Sequence, residues 1–403
     1  MANFKKQEKY VPEKCGRCGQ TETYLLPVDR GTVDILKAIM KIKYLSLFSG
    51  IGGFELGIQQ AYENKIHQKR QVSKQQNIQR KRNSSNNSKQ RKKDRSEQPT
   101  CIGYSEVDKY AIQIYKKHFN HKNYGDITKI NIQELPDFDL IVGGFPCQSF
   151  SIAGKRGGFE DTRGTLFFEI AKIARIKRPR LLLLENVKGL LSHDEGATFA
   201  TIISTLDELG YDCQWQVLNS KNFGVPQNRE RVFIIGHLRG TSRPKVFPIE
   251  NLSEKAIKVS KKRSSVRTEG ISGALVCSYY KIPSDGQYIK IKEATKKGYA
   301  EAKVGGSINL SVPNSKTRRG GVGKGIAQTI DAGMQQHTLD KNAKIRRLTP
   351  MECERLQGFP DGWTSKGINE KGEEVVMSDT QRYKTCGNAV TTNVIKTIVE
   401  RLL

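Results

Sequence analysis

Short apolar runs alternate with longer segments along most of the chain. Tyr44–Phe48, Cys101–Ser105, Phe138–Val142 and Leu181–Leu184 are runs of four or five residues, the length and character of buried strands. A further strand is expected near Trp215–Leu218, and another is entered at Gln227 and runs to Gly236. Phe54–Glu63, the segment from Asp108 through Phe119, Leu166–Lys177 and Ala197–Leu209 read as the helices between them. Strands alternating with helices predict an α/β fold with a doubly wound sheet. Near the end, Thr349 is placed as an N-cap, Pro350 at the first helical position and Gly358 as the stop of a short helix. Cys386-Gly387-Asn388-Ala389-Val390 reads as the opening of a C-terminal helix.

Two stretches break the alternation. Residues 64 to 100 hold 12 Lys/Arg against 2 Asp/Glu and only three aliphatic residues. Such a segment cannot offset its ordering entropy by burial, so a disordered basic insert is expected, either a tolerated solvated loop or a non-specific phosphate contact. Residues 241 to 345 show no strong helical periodicity, many glycines and 20 Lys/Arg against 8 Asp/Glu, which suits a smaller, irregular β-rich module. The division that follows is an N-terminal extension at 1–40, a main domain at 41–240, the β-rich module at 241–345 and a return to the main domain at 346–403.

Those two stretches carry most of the formal charge of +27, which points to a polyanionic partner, nucleic acid first. No apolar run approaches the roughly 18 residues of a membrane span. Met1-Ala2-Asn3-Phe4-Lys5-Lys6 is not followed by the apolar core of a secretory signal, so a cytoplasmic location is expected. The eight cysteines form no spaced framework and are expected as thiols. Cys15 and Cys18 have the spacing of half a zinc site, but no second pair follows at a usual distance and no metal is expected.

The candidate chemistry gathers at strand ends, where ligands sit in open α/β sheets. Gly143-Gly144-Phe145-Pro146-Cys147-Gln148-Ser149-Phe150-Ser151 puts a lone thiol on a loop stiffened by Pro146. Alone, Cys147 reads as a buried structural cysteine. Ser49-Gly50-Ile51-Gly52-Gly53 is a glycine turn between a strand and a helix. It lacks the Gly-x-Gly-x-x-Gly spacing of dinucleotide sites. Glu106 at the tip of the second strand is placed to accept ribose hydroxyls, with Asp108 as a helix cap. Glu185 emerges from an apolar strand, so burial should raise its pKa and let it donate a proton near neutrality. Gln227, Arg229 and Arg231 alternate, which would put three polar side chains on one strand face. Gly154 to Arg163 is glycine-rich and basic, as a lid over phosphates would be.

Taken in order, these motifs resemble the DNA (cytosine-5) methyltransferases: Phe-x-Gly-x-Gly-Gly at 48–53, Gly-Asp at 125–126, Pro-Cys-Gln at 146–148, Glu-Asn-Val at 185–187, Gln-x-Arg-x-Arg at 227–231 and the final Gly-Asn-Ala-Val at 387–390. The resemblance implies a doubly wound S-adenosylmethionine-dependent methyltransferase fold (Rossmann-like) in which the β-rich module recognises the target. It implies Cys147 as the nucleophile beside Pro146, Glu185 at the N3 edge of the cytosine and Arg231 on the flipped base, with Arg229 and Gln227 nearby. S-adenosylmethionine is the implied cofactor. Phe48, Gly50, Gly52, Gly53, Glu106, Val107, Asp126, Ile127, Pro146, Asn388 and Val390 would line its site. Gln148, Ser151, Lys155, Arg156 and Arg163 would touch duplex DNA. Tyr279, Tyr280, Arg318, Arg319 and Gln335 are possible contacts in the recognition region, none assigned to a base. A monomer is expected, and a cognate restriction endonuclease is a possible partner by family habit. The alternatives are an RNA cytosine-5 methyltransferase, disfavoured by the long basic module, and a non-catalytic nucleic-acid-binding protein or an NAD enzyme.

Overall fold

The computed structural model describes residues 42–81, 98–146, 166–249, 288–312, 321–323, 325–340 and 344–403, with side chains in the first segment described to residue 68. Strand β1 (Lys43–Leu47) leads into helix α1 (Gly53–Lys81), followed by β2 (Thr100–Ser105), α2 (Lys109–His118), β3 (Leu140–Gly144), α3 (Leu166–Lys177), β4 (Leu181–Val187), α4 (Ala197–Glu208), β5 (Tyr211–Asn219), β6 (Gln227–Asn228) and β7 (Glu230–Leu238). Six of these strands form one sheet in the order β2-β1-β3-β4-β7-β5. The first four are mutually parallel, and β7 runs antiparallel between β4 and β5.

Period-two alternation explains one face of the sheet. Leu45, Leu47, Ile141, Leu182, Leu184, Val232 and Ile234 share a core with Phe167, Ile170, Ala171 and Ala174 of α3 and with Ile202 and Leu206 of α4. The four α3 residues fall at the spacing of one helix face. Full burial of side chains such as Phe167 contributes on the order of 2 kcal/mol each. On another side α1 lies along α7 (Thr392–Leu402), which brings the end of the chain back to its first helix. Contact there is at backbone range: a Cβ on Gly57 would stand 2.6 Å from Ile395 Cβ.

The β-rich module is built from the hairpin β8 (Tyr288–Lys292) and β9 (Tyr299–Lys303) and from β10 (Ser307–Asn309), β11 (Gly321–Gly323), β12 (Ala327–Gln328), β13 (Gln336–Leu339) and β14 (Ile345–Arg347). Strands β11-β10-β13-β14 make an antiparallel sheet, while β12 pairs with β6 of the main domain. Beyond it come α5 (Pro350–Leu356), the hairpin β15 (Lys366–Ile368) and β16 (Glu374–Val376), α6 (Asp379–Asn388) and α7. Thr349 and Glu352 cap α5 reciprocally, with Pro350 in the first turn and Gly358 left-handed at φ 78° after its end.

Two element expectations are corrected. The helix expected at 54–63 continues to Lys81, so residues 64–81 of the supposed disordered insert are helical. Lys, Arg and Gln are good helix formers, and no Pro or Gly interrupts the run, so an existing helix propagates without a core to bury. Residues 82–97 of that insert lie outside the described residues. Cys386 to Asn388 closes α6 rather than opening a helix, and α7 starts afresh at Thr392 after a turn.

Candidate active site

Phe48, Glu106 and Phe145 follow the carboxyl ends of β1, β2 and β3, and Glu185 lies near the end of β4. Because β1 sits between β2 and β3, the chain winds outward on both sides of it, and a crevice opens at that edge of the sheet.

Glu185 pairs in register with Gly144 on β3 and Phe233 on β7. Its Oε1 is 3.0 Å from Arg231 Nε, and the two side chains are 12% and 16% exposed. A Cβ at residue 144 would come within 3.1 Å of Glu185 Oε2, so a side chain there would crowd the carboxyl group. Burial pushes the Glu185 pKa up, and the charges of Arg231 and Arg229 oppose that shift without cancelling it. The result is a carboxyl group that keeps a proton more readily than a surface glutamate and already holds a guanidinium partner.

Asn186 fixes the loop that follows β3. Buried, it donates from Nδ2 to the Phe145 carbonyl at 2.8 Å and accepts the Val187 amide on Oδ1 at 2.8 Å. Phe145 is itself buried against Phe167, with ring centroids 5.6 Å apart. Pro146, exposed, is the last described residue of this segment. Cys147, Gln148, Ser151, Lys155, Arg156 and Arg163 lie outside the described residues. In the chain, Cys147 comes three positions after Gly144, the register partner of Glu185.

On the other side of the crevice, Phe48 and Gly50 adopt positive φ values of 54° and 55°. The Gly50 amide donates to Glu106 Oε2 at 2.8 Å, and Glu106 Oε1 accepts the Val107 and Asp108 amides at 2.8 and 2.9 Å. Glu106 thereby joins the glycine turn to the tip of β2. Asp108 caps α2 through the Tyr110 and Ala111 amides, as expected. Ser105 Oγ donates to the Gly125 carbonyl at 2.6 Å, which keeps the Gly125-Asp126 turn beside Glu106. Asp126 Oδ1 accepts from the Thr128 amide and hydroxyl, and those bonds hold its carboxylate below the usual range. Ile127 is buried, whereas Val107 is 69% exposed and no ring stands at that position. A Cβ on Gly50 or Gly125 would meet nothing within 4 Å, so both turns border open space.

The turn between α6 and α7 closes this side. Val390 packs where a Cβ on Gly53 would approach it to 2.7 Å, and Gly52 faces the Phe119 ring. Asn388 is exposed beside it. Trp363 Nε1 donates to the Ile51 carbonyl at 3.0 Å inside the glycine turn.

The arrangement of Gln227, Arg229 and Arg231 departs from expectation. Only Arg231 reaches Glu185. Gln227 is fully buried and bonds the Leu356 carbonyl and the Ile330 amide. Arg229, 3% exposed, donates to the carbonyls of Ile330, Gly387 and Ala389. The alternation fails because β6 ends at Asn228 and β7 begins at Glu230, so the three do not share one unbroken strand. Gln335, in the β-rich module, is exposed. Tyr279, Tyr280, Arg318 and Arg319 lie outside the described residues, as do Cys15 and Cys18. Among the described residues no cluster of His, Cys, Asp and Glu could hold a metal, and no helix is long and apolar enough to cross a membrane.

Sequence reasoning missed Asn186, Trp363 and the buried role of Arg229. An amide directly after the candidate acid was visible, but its partner, a carbonyl 41 positions away, depends on the β3–β4 register.

Comparison with known proteins is consistent across this whole region. The family model for C-5 cytosine-specific DNA methylase matches residues 42–403. Type II methyltransferase M1.ScrFI of Lactococcus lactis subsp. cremoris is 36% identical over 366 residues, covering 90% of this chain and 78% of that protein. Type II methyltransferase M.HhaI of Haemophilus parahaemolyticus is 31% identical over 378 residues, covering 90% and 94%. At the level of fold, the crystal structure of the S. pombe Dnmt2 methyltransferase covers 90% of this chain and 98% of its own, with 15% identity and a TM-score of 0.51.

Proposed function

The chain belongs to the C-5 cytosine-specific DNA methylase family, and from that premise we propose that it methylates C5 of a cytosine swung out of duplex DNA through a temporary bond from Cys147 to C6. It is a DNA cytosine-5-methyltransferase of the restriction-modification type. The observation that carries the mechanism is the Glu185–Arg231 pair at 3.0 Å, lying beside Gly144 at the root of the loop that bears Cys147.

C5 of cytosine is a weak nucleophile, so the ring must first gain electron density. Addition of the Cys147 thiolate to C6 provides it, splitting one difficult step into easier ones. Glu185, its proton favoured by burial, donates at N3 as negative charge builds in the ring. Arg231 holds O2 and keeps Glu185 oriented. Once C5 carries the methyl group, its proton passes to water, the sulfur leaves as thiolate and the N3 proton returns to Glu185, which restores aromaticity. Since the thiol must meet the face of the base, the nucleotide has to leave the stack, at a cost of a few kcal/mol offset by contacts in the pocket.

The residues at the crevice suit S-adenosylmethionine. Gly50 and Gly125 border space that any side chain would enter, and two carboxylates, Glu106 and Asp126, stand at neighbouring turns. Glu106 would take the ribose, Asp126 the adenine amino group, and Phe48, Ile127 and Val390 apolar surface, with Asn388 and Pro146 at the rim. When bound there, the cofactor supplies an electrophilic methyl group that the activated C5 can accept. Gln148, Ser151, Lys155, Arg156 and Arg163 would hold the DNA, and the β-rich module would choose the target. Arg229 and Gln227 position the site rather than touch the base.

We assign the protein to protection of its host DNA beside an endonuclease of the same specificity, acting as a monomer in the cytoplasm. The test is transfer of labelled methyl groups to duplex DNA. Label should appear in 5-methylcytosine with wild-type protein and fall to background with Cys147→Ser; equal labelling by the variant removes the nucleophile assignment.

A further inference from the structure

One buried joint ties the β-rich module to the turn that closes the cofactor side of the crevice. Arg229 Nη1 donates to the Ile330 carbonyl at 3.1 Å, in the segment between β12 and β13. Its Nη2 donates to Gly387 at 3.2 Å and to Ala389 at 2.9 Å, the two residues flanking Asn388. A second contact joins the same two segments without any side chain. A Cβ on Gly387 would lie 2.5 Å from the Asp331 carbonyl oxygen and 2.6 Å from the Ala332 nitrogen, so only glycine lets the two backbones approach.

Amides support the joint from beneath. Gln357 Nε2 donates to Cys386 at 2.8 Å and to Ala389 at 3.2 Å, and its Oε1 accepts the Thr391 hydroxyl at 2.8 Å. Gln227 holds the Ile330 amide at 3.0 Å on Oε1 and reaches Gln357 with Nε2 at 3.3 Å. Neither segment can shift alone without leaving buried carbonyls unpaired.

We propose that Arg229 is a positioning residue through which engagement of DNA by the β-rich module sets the affinity for S-adenosylmethionine, by holding the Gly387–Ala389 turn in register with Ile330. The proposal rests on the reading that Asn388 and Val390 line the cofactor site. Because the two segments are joined here, any shift of the module that accompanies DNA binding is passed to the turn. Once the module is held on a duplex, one guanidinium holds both segments and the turn is fixed in its binding geometry. By linkage, the cofactor must in turn tighten the duplex by the same factor.

The experiment measures dissociation constants of S-adenosylhomocysteine by calorimetry, with and without a duplex carrying the methylation site mapped beforehand by sequencing. For wild-type protein the duplex should tighten the probe by roughly tenfold, within the usual range of coupling between sites. Arg229→Lys keeps the charge but loses the planar fork, and the gain should fall below about threefold. A wild-type gain retained in Arg229→Lys, or no gain in the wild type, overturns the proposal. Asn388→Ala separates the two readings. It should weaken the probe equally with and without duplex, and no weakening in either state means that the turn does not line the cofactor site. If Arg229→Lys does not fold, hydrogen exchange on wild-type protein decides: duplex alone should slow exchange in residues 387–391, and unchanged rates there overturn the joint.

Discussion

At the scale of residues, the proposed chemistry turns on Glu185. A carboxyl group whose pKa is raised by burial is protonated at pH values where a surface glutamate is not. As an acid it works below that pKa and stops as pH rises through it. The rate of methyl transfer should therefore decline on the alkaline side, against the rising thiolate fraction of Cys147, to give a bell whose limbs belong to the pair. Glu185→Gln should lower kcat by roughly 10²- to 10⁴-fold and flatten the alkaline limb, since an amide does not titrate there. A pH–rate profile unchanged in the variant contradicts the assignment. Glu185 and Arg231 could be singled out in the sequence because each lies in a short motif attached to a strong strand, and the structure brings their side chains together. The contacts of Arg229 could not be read there: what it touches is set by a break between β6 and β7 and by carbonyls 101 to 160 positions away, which no local pattern encodes.

At the scale of elements, the best-read pieces are those whose signals are local. Leu166–Lys177 and the Thr349 cap of α5 fall where apolar spacing and capping place them. The extent of α1 was misjudged because lack of burial was taken for lack of helix, although chain propensity alone extends a helix already nucleated on the sheet. That helix also carries a fully buried acid. Glu55 accepts from the Tyr115 hydroxyl at 3.1 Å, and burial raises its pKa to about 7. The folded protein thus keeps a proton that the unfolded chain releases near 4.5. Stability from this group is complete below that value and is lost as pH rises to about 7, by about 1.4 kcal/mol per pH unit. Denaturant titrations of Glu55→Gln should show a shallower decline across that window, and a decline equal to the wild type's contradicts it. The α1–α7 contact gives a second check: Gly57→Ala would press on Ile395 and the Thr392 carbonyl, which should cost about 1–3 kcal/mol in thermal unfolding.

At the scale of the whole molecule, the doubly wound sheet, the β-rich module and the return of the chain's end follow the order in which the motifs occur. The sequence could not tell how these parts share a core. Ile330 and Met334 of the module pack with Leu356 of α5 and with Tyr383 and Cys386 of α6, which makes the module's base part of the catalytic body. The proposed function gives these parts one central event, a bond between the Cys147 sulfur and a pyrimidine ring. The most direct measurement uses a duplex with 5-fluorocytosine in place of cytosine, incubated with protein and S-adenosylmethionine. Fluorine cannot leave C5 as a proton does, so the ring should remain attached to the protein through denaturation, and peptide mapping should place the bond at Cys147. Recovery of the duplex free of protein, or a bond mapped to another residue, would contradict the account.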